Sequence, residues 1–363
     1  MSRARDLADL GGSADAGGLT GRNLIINGAM TVAQRGTSET GVTTAGYRNA
    51  CDRYRVGGDN GTWTISQDTD APDGFSNSFK MLLTATETIS STSYWSVEQR
   101  IEGFDLQGLA YGTSSAKTVT VSFYVKSNIT GTYCLNLYQD DGTKNFPKTY
   151  TIDSANTWER KTISFVGDTA TALDNDNAKS LRTVFHVVAG SGLTSGTPGT
   201  RVAYTDSTWA AGHTAQIDAV NDYWQITGLQ LEVGQTATPF EHESYDETLL
   251  KCARYYYKFI SGESSAYLAT GMARNNTSGW VPLWLPAPLR SGLTADLTLT
   301  SGGTFRLMEQ GTSQTSTGIT LGTSFRESIL LVVTVASGLA AGDCVVFRHN
   351  TANSSFVAID CEL

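Results

Sequence analysis

The groups from which catalysis or metal binding would be assembled are few and scattered in this 363-residue chain. His186, His213, His242 and His349 form no HExxH-type pair, and none adjoins a serine or cysteine nucleophile motif. Cys51, Cys134, Cys252, Cys344 and Cys361 match no metal spacing and are expected as buried free thiols. Glycoside cleavage needs two carboxyl groups facing each other across a cleft. Glu98 with Glu102, and Asp52 with Glu241, are conceivable pairs, but solvated or turn acids are the simpler reading. No phosphate loop and no dinucleotide fingerprint is present, so no catalytic residue is assigned. The runs Asp174-Asn175-Asp176-Asn177 and Asp68/Asp70/Asp73 are rich in the oxygens that calcium takes. Neither has the glycine and distal glutamate of an EF-hand. Asp174 and Asp176 are the residues that would ligate a structural Ca²⁺, ordinary polar turns being the alternative, and no other cofactor is expected.

The clearest binding chemistry is aromatic. Val119, Val121, Phe123 and Val125 alternate with Thr118, Thr120, Ser122, Tyr124 and Lys126, the period of a half-buried strand. After a turn at Asn128 to Gly131, Tyr133, Leu135 and Leu137 alternate with Cys134, Asn136 and Tyr138. Taken as paired strands, these runs put Tyr124 and Tyr138 on one non-core face. Exposed rings are where sugars stack, and Asn136 and Lys126 beside them would hydrogen-bond sugar hydroxyls. The competing reading is that another sheet or a neighbouring subunit covers that face.

The elements that must position these residues are strands. Glycine is abundant (37), proline scarce (7), and 17% of residues are charged, which suits many short strands and tight turns. Further alternating runs occur at Tyr54 to Val56, Trp63 to Ile65, Phe79 to Leu83, Tyr94 to Ile101, Thr162 to Val166 and Leu181 to Ala189, with a short apolar strand at Leu24 to Ile26. About nine or ten strands at this spacing predict an antiparallel sandwich. A net charge of −9 argues against a nucleic-acid partner. The first residues lack the apolar segment of a signal peptide, and no apolar run approaches the ~20 residues of a membrane span.

Asn221 to Phe259 joins two parts of the chain. Trp224 and Ile226 have one parity and Leu229, Leu231 and Val233 the other, so the inward face switches at Gly228, where a bulge is predicted. Ser244 and Glu247 form a capping box opening a short helix with Leu249, Leu250 and Ala253 on one side. The aromatic run Tyr255 to Phe259 then favours strand. The expected order is therefore an arm over 1–21, a sandwich over 22–242, a connector helix over 243–254 and a smaller β domain over 255–363. Arg3, Arg5, Leu7 and Leu10 in the arm would dock on a larger assembly, the alternative being a disordered terminus. Trp280 to Pro286 is unusually apolar, as a subunit interface would be.

ITGLQLEVG (from Ile226) and TPFEHESYDETLLKCARYYYK (from Thr238) resemble the segment that closes the sandwich in a family of bacteriophage tail and fibre proteins frequent in marine phages. NLIINGAM, DRYRV, APDGFSNSFK, QRIEGFDLQGLAYGTSSAKTVTVSFYVKS and ANTWERKTI resemble the same family in the same order, over roughly residues 22 to 260, and the ending FVAIDCEL resembles its final strand. The resemblance implies an all-β, jelly-roll-like sandwich of carbohydrate-binding-module type and no catalytic residues. It further implies a virion protein on the tail or head surface, made in the host bacterial cytoplasm. Its expected partners are other virion proteins, two further copies of itself and a host surface polysaccharide. A head-decorating protein is one alternative, and a polysaccharide depolymerase the other.

Overall fold

A computed structural model of the chain describes residues 21–260, 267–349 and 355–363. The docking arm with Arg3, Arg5, Leu7 and Leu10 lies outside the described residues. Contacts divide the chain into two compact units, one running to Thr248 with Leu363, the other Leu249–Glu362.

The first unit is a sandwich of two antiparallel sheets. One has six strands in the order Ser38–Val42, Thr62–Asp68, Ser78–Ala85, Tyr223–Val233, Val119–Ser127, Glu159–Phe165. The other has eight. Its centre is Gly131–Gln139, Lys179–Ala189 and Tyr94–Glu102, extended by Arg55–Gly58 and Gly46–Tyr47 on one side. Short strands at Pro147–Ile152, Lys144–Asn145 and Val202–Ala203 complete its other side. The alternation seen in the sequence decides which side chains meet between the sheets. Val121, Phe123 and Val125 from one sheet pack on Val97, Leu135, Leu137 and Phe185 from the other. Phe123 and Phe185 meet edge to face at 4.9 Å, and Phe185 lies 5.9 Å from Trp224. Trp63 and Trp95 pack at 5.6 Å, and both indoles donate to the Asn60 carbonyl. Full burial of such side chains stabilises by ~1.5–3 kcal/mol each, the main source of cohesion here.

Gly228 does what its parity switch predicts. Its φ is +59°, the pairing with Val119–Ser127 slips between Thr227 and Gln230, and Trp224, Ile226, Leu229 and Leu231 all reach the core. A Cβ at Gly228 would lie 2.7 Å from the Phe75 ring, so conformation and space both require glycine.

Several expectations need correction. Leu24 to Ile26 is not a strand: this segment is irregular and held by Leu24 N–H donating to the Leu231 carbonyl (2.9 Å). The edge strands Ser38–Val42 and Gly46–Tyr47, like Pro147–Ile152, lack a clean apolar alternation to announce them. Cys344 is exposed, whereas the other four thiols are buried. Most consequential, Val119–Ser127 and Gly131–Gln139 do not pair. They belong to opposite sheets, because the turn between them is a crossover from one layer of the sandwich to the other.

The connector helix spans Tyr245–Ala253, opened by the reciprocal box: Glu247 N–H donates to Ser244 Oγ (3.2 Å) and Ser244 N–H to Glu247 Oε2 (3.0 Å). Its buried positions are Thr248, Cys252 and Ala253, while Leu250 is exposed, so its inward stripe is rotated from the expected one.

In the second unit, Tyr256–Ile260, Phe356–Asp360 and Thr298–Gly302 form a three-stranded sheet. Six strands close into a barrel in the order Tyr267–Asn275, Ser278–Trp284, Ser328–Val335, Thr312–Ser324, Phe305–Glu309, Cys344–His349. Val281, Leu283, Leu307, Leu331, Val333, Val345 and Phe347 fill its interior.

Candidate functional site

The outer face of the eight-stranded sheet carries a row of side chains fixed by register. Arg182 stands between Tyr138 on one neighbouring strand and Arg100 on the other. Two residues along, Val184 stands between Asn136 and Glu98, with Arg55 opposite Glu98 on the next strand. Glu98 is buried and binds three guanidiniums: Arg55 at 2.8 Å, Arg100 at 2.8 Å and Arg182 at 3.2 Å. Burial raises the proton affinity of its carboxyl, but Arg100, Arg182 and Arg55 together outweigh that and hold it below the usual carboxylate range. Arg182 is in turn clamped by both oxygens of Asp140 at 2.9 Å, and its guanidinium lies over the Tyr138 ring, 4.4 Å from the centroid. Three strands thereby fix one tyrosine in one orientation.

The segment from Gly190 to Ile217, a long Gly/Ser/Thr-rich stretch, folds back across this face. Leu193, Trp209 and Ala210 bury themselves on Cys134, Tyr138, Val184 and Ala189. Asn136 holds the segment down. Its Nδ2 donates to the Trp209 carbonyl (3.0 Å) and to Asn145 Oδ1 (2.7 Å), and its Oδ1 accepts from Phe146 N–H (2.9 Å). Trp209 sits with three tyrosine rings around it, all within 6.5 Å and steeply inclined: Tyr94, Tyr138 and Tyr204. Between them opens a cleft of about 350 Å³, lined also by Thr92, Arg182, Leu193 and Asp206. Tyr204 is 41% exposed at its rim and donates its hydroxyl to Asp206 Oδ1 (3.1 Å). Burial, then Asp206, pushes the Tyr204 phenol up to about 12, so all its hydrogen-bonding chemistry at neutral pH is that of a neutral hydroxyl. Three phenols and one free carboxylate edge, set among ring faces, can stack on and hydrogen-bond a polyhydroxylated ligand.

Two buried histidines lie behind this wall. His186 packs edge-on against Trp209 (5.2 Å), and His213 packs against Tyr133 (5.5 Å) while its Nδ1 accepts from Cys134 N–H (3.3 Å). Burial lowers His186 to about 3 and His213 to about 4. Both are therefore neutral in the fold, whereas an unfolded chain protonates them near 6.5. The stability this contributes is complete above about pH 6.5 and is lost as pH falls from there toward the depressed values. The slope is roughly 1.4 kcal/mol per pH unit for each histidine. Thermal unfolding followed from pH 7 to pH 4.5 should show this fall, and a His186→Phe variant should show a shallower one.

The four residues expected to bind sugar together are not together. Tyr138 lines the cleft, and Asn136 lies under it, fully buried and committed to positioning Trp209. Tyr124 and Lys126 are on the other sheet, on the opposite side of the molecule's first unit. There Tyr124 is covered by Phe75 (5.5 Å), itself packed on Phe240 and His242, and Lys126 binds Asp70 at 2.7 Å. Of the cleft's lining only Tyr138 was expected from the sequence; Tyr94, Arg182, Tyr204, Asp206 and Trp209 are among those it did not single out. Outward parity marks Tyr94 and Arg182, and two aromatics inside a Gly/Ser/Thr loop mark Tyr204 and Trp209.

The remaining candidates have local duties. Asp52 accepts from Gln34 N–H (3.0 Å) and Gln34 Nε2 (2.7 Å), and Glu102 is buried. Glu241 accepts the N–H groups of Gly21, Arg22 and Asn23 at 2.6–3.0 Å. Asp176 closes its own turn by accepting from Ala178 N–H (2.9 Å), and Asp174 N–H donates to Asp141 (2.9 Å). Asp68 and Asp70 are taken by Lys80 and Lys126. Among the described residues no group of three or more His, Cys, Asp or Glu side chains is placed to hold a metal ion.

No protein-family model matches this sequence, and no curated protein matches it. Solved structures similar to it include the enzymatically active domain of tailspike protein 4 from bacteriophage CBA120. That likeness has 12% identity, covers 58% of this chain and 21% of that one, and has a TM-score of 0.32. A family 11 carbohydrate-binding module from Clostridium thermocellum, in complex with a β-1,3-1,4-mixed-linked tetrasaccharide, has 12% identity over 57% of this chain and 99% of its own (TM-score 0.26). A xylan-binding domain from Paenibacillus barcinonensis has 10% identity over 57% and 100% (TM-score 0.25). These are distant likenesses, and the fold class stands on the sheets themselves: an all-β chain whose first unit is an antiparallel sandwich.

Proposed function

We propose that the first unit binds a surface polysaccharide, without cleaving it, in the cleft walled by Tyr94, Tyr138 and Tyr204. The observation that carries this reading is the cleft itself: about 350 Å³ lined by phenols and ring faces, with its one cation already paired. Because Arg182 is neutralised by Asp140 and Glu98, the cleft offers no free positive charge, which favours neutral over acidic sugars. The non-enzymatic part of the reading rests on the candidate acids, Glu98 being bound by three arginines and Glu241 by backbone amides.

The setting we propose is a bacteriophage virion, with the chain a homotrimeric tail-fibre or receptor-binding component. Its support is the ordered set of sequence segments from NLIINGAM to ARYYYK that resemble such proteins. A shallow wet site binds weakly, near millimolar per chain, and three copies on one particle convert that into useful avidity.

Isothermal titration with host lipopolysaccharide or capsule fragments tests the site. Tyr204→Ala should lower affinity at least tenfold while leaving the melting temperature unchanged, since Tyr204 is exposed at the rim. Tyr124→Ala, on the far sheet, should leave affinity unchanged. Equal affinity in wild type and Tyr204→Ala would remove the cleft from the account. Absence of glycan binding together with normal adsorption of particles lacking the protein would favour the head-decorating role.

A further inference from the structure

On the outside of the second unit's barrel the fold sets two arginines against each other. Arg306 lies between Phe305 and Leu307, and Arg348 between Phe347 and His349. All four neighbours are buried, so both arginines point out of the barrel. Register places them directly opposite on adjoining strands. Residues so paired have Cβ atoms only ~5 Å apart, and like charges there are destabilising. The four strands of this face, Tyr267–Asn275, Cys344–His349, Phe305–Glu309 and Thr312–Ser324, contain one acid. It is Glu309, which is buried and accepts the Ala340 N–H (2.9 Å). Asp343, just before Cys344, accepts from Gln310 Nε2 (2.6 Å). Among the described residues neither Arg306 nor Arg348 has a carboxylate partner. Arg348 donates to Ser313 Oγ (3.4 Å), and the Nε of each arginine is shut off from water with no acceptor. In a chain of net charge −9, positive charge is thus concentrated here at a cost in stability.

The row continues on both flanks. Tyr267, 67% exposed, stands opposite Arg348, and Thr315 stands opposite Arg306. The next row sets Met308 opposite Val346 on one strand and Ser313 on the other. Two guanidiniums side by side are the donors suited to a tetrahedral oxyanion, because their planar forks match phosphate oxygens with parallel N–H···O bonds. Both arginines are half-buried next to the apolar Met308/Val346 pair, where such bonds are stronger than on an open surface. A bound anion would also remove the repulsion between the two charges. A long polyanion fits poorly, since two arginines neutralise only two phosphates and the remainder would meet a chain of net negative charge. The exposed Tyr267 ring beside the pair is instead a stacking surface for one sugar.

We propose that Arg306 and Arg348 form a binding site for a phosphate group carried on a saccharide. The hydroxyls of Ser313 and Thr315 serve as further donors, and Tyr267 lies against the sugar ring. The site belongs to the second unit and does not depend on the cleft reading.

A ³¹P NMR titration of glucose 1-phosphate with the full chain at low ionic strength tests it. The wild type should shift and broaden the phosphorus signal saturably, and inorganic phosphate should bind more weakly. Arg306→Gln and Arg348→Gln should each weaken binding roughly tenfold or more, the size of one lost hydrogen bond to a charged group. Lysine at either position, which keeps the charge without the fork, should restore part of it. Because each glutamine relieves a repulsion, both variants should melt at or above the wild-type temperature without ligand. Glucose 1-phosphate should then raise the melting temperature of the wild type alone. Tyr204→Ala, in the cleft, should bind it as the wild type does. The proposal is overturned by a wild type that does not bind, or by binding that survives in the Arg306→Gln/Arg348→Gln double variant. Glutamine variants that melt well below the wild type would overturn it too, by giving the pair a structural role. Inorganic phosphate binding as tightly as glucose 1-phosphate, or a DNA oligonucleotide binding more tightly through the same arginines, would overturn the saccharide assignment.

Discussion

Glu98→Ala should cost the first unit about 3–5 kcal/mol, the range found when one partner of a buried charge cluster is removed. The carboxylate is 2% exposed and serves Arg55, Arg100 and Arg182 at once, so its loss leaves Arg55 and Arg100 without their carboxylate and Arg182 with Asp140 alone. For a unit of this size such a loss lowers the melting temperature by roughly 10 °C. Glu98→Gln should fall between, since it keeps the shape and part of the hydrogen bonding but not the charge. The same group links stability to pH. Its folded pKa is depressed, so its contribution is present above the ordinary carboxylate value and is lost as pH falls through the lowered one. Differential scanning calorimetry of wild type and both variants at pH 7 measures the effect. A melting temperature within 2 °C of wild type for Glu98→Ala, where about 10 °C is expected, would show that the arginines find other partners.

Trp209→Ala should have two effects of comparable size. Truncating a buried tryptophan typically costs about 3–5 kcal/mol. Here the side chain joins the returning segment to Tyr138, Val184 and His186 and holds three tyrosine rings at fixed angles. Without it the cleft loses its inner wall, and glycan affinity should drop below detection by titration even at temperatures where the unit remains folded. Trp209→Phe should recover most of the stability and part of the binding. Chemical denaturation and titration on the same samples separate the two. A Trp209→Ala protein that binds as tightly as wild type would mean that the ring positions do not matter.

The sandwich was legible in the sequence because its core strands alternate cleanly. Val119 to Val125, Tyr133 to Leu137 and Leu181 to Ala189 bury the residues their parity selects, and Gly228 bulges where parity switches. The edge strands were not legible, since a segment such as Ser38–Val42 has only Val42 buried and carries no period to read. The binding face was half legible. Parity placed Tyr138 outward, but the partner of a strand is a matter of topology, and adjacency in sequence suggested Tyr124 where the fold supplies Tyr94, Tyr204 and Trp209. A polar loop such as Gly190 to Ile217 reads as a connection. That it returns over the sheet depends on Asn136 and on two apolar anchors, Leu193 and Trp209, which local composition conceals.

The central claim, that sugar occupies the cleft on the eight-stranded sheet, is tested most directly by a crystal structure of the full chain grown with an oligosaccharide that binds in solution. Density is expected for sugar rings in van der Waals contact with Tyr94, Tyr138 and Tyr204, with a hydroxyl on Asp206. Density over Tyr124 and Lys126 on the six-stranded sheet, with an empty cleft, would contradict it.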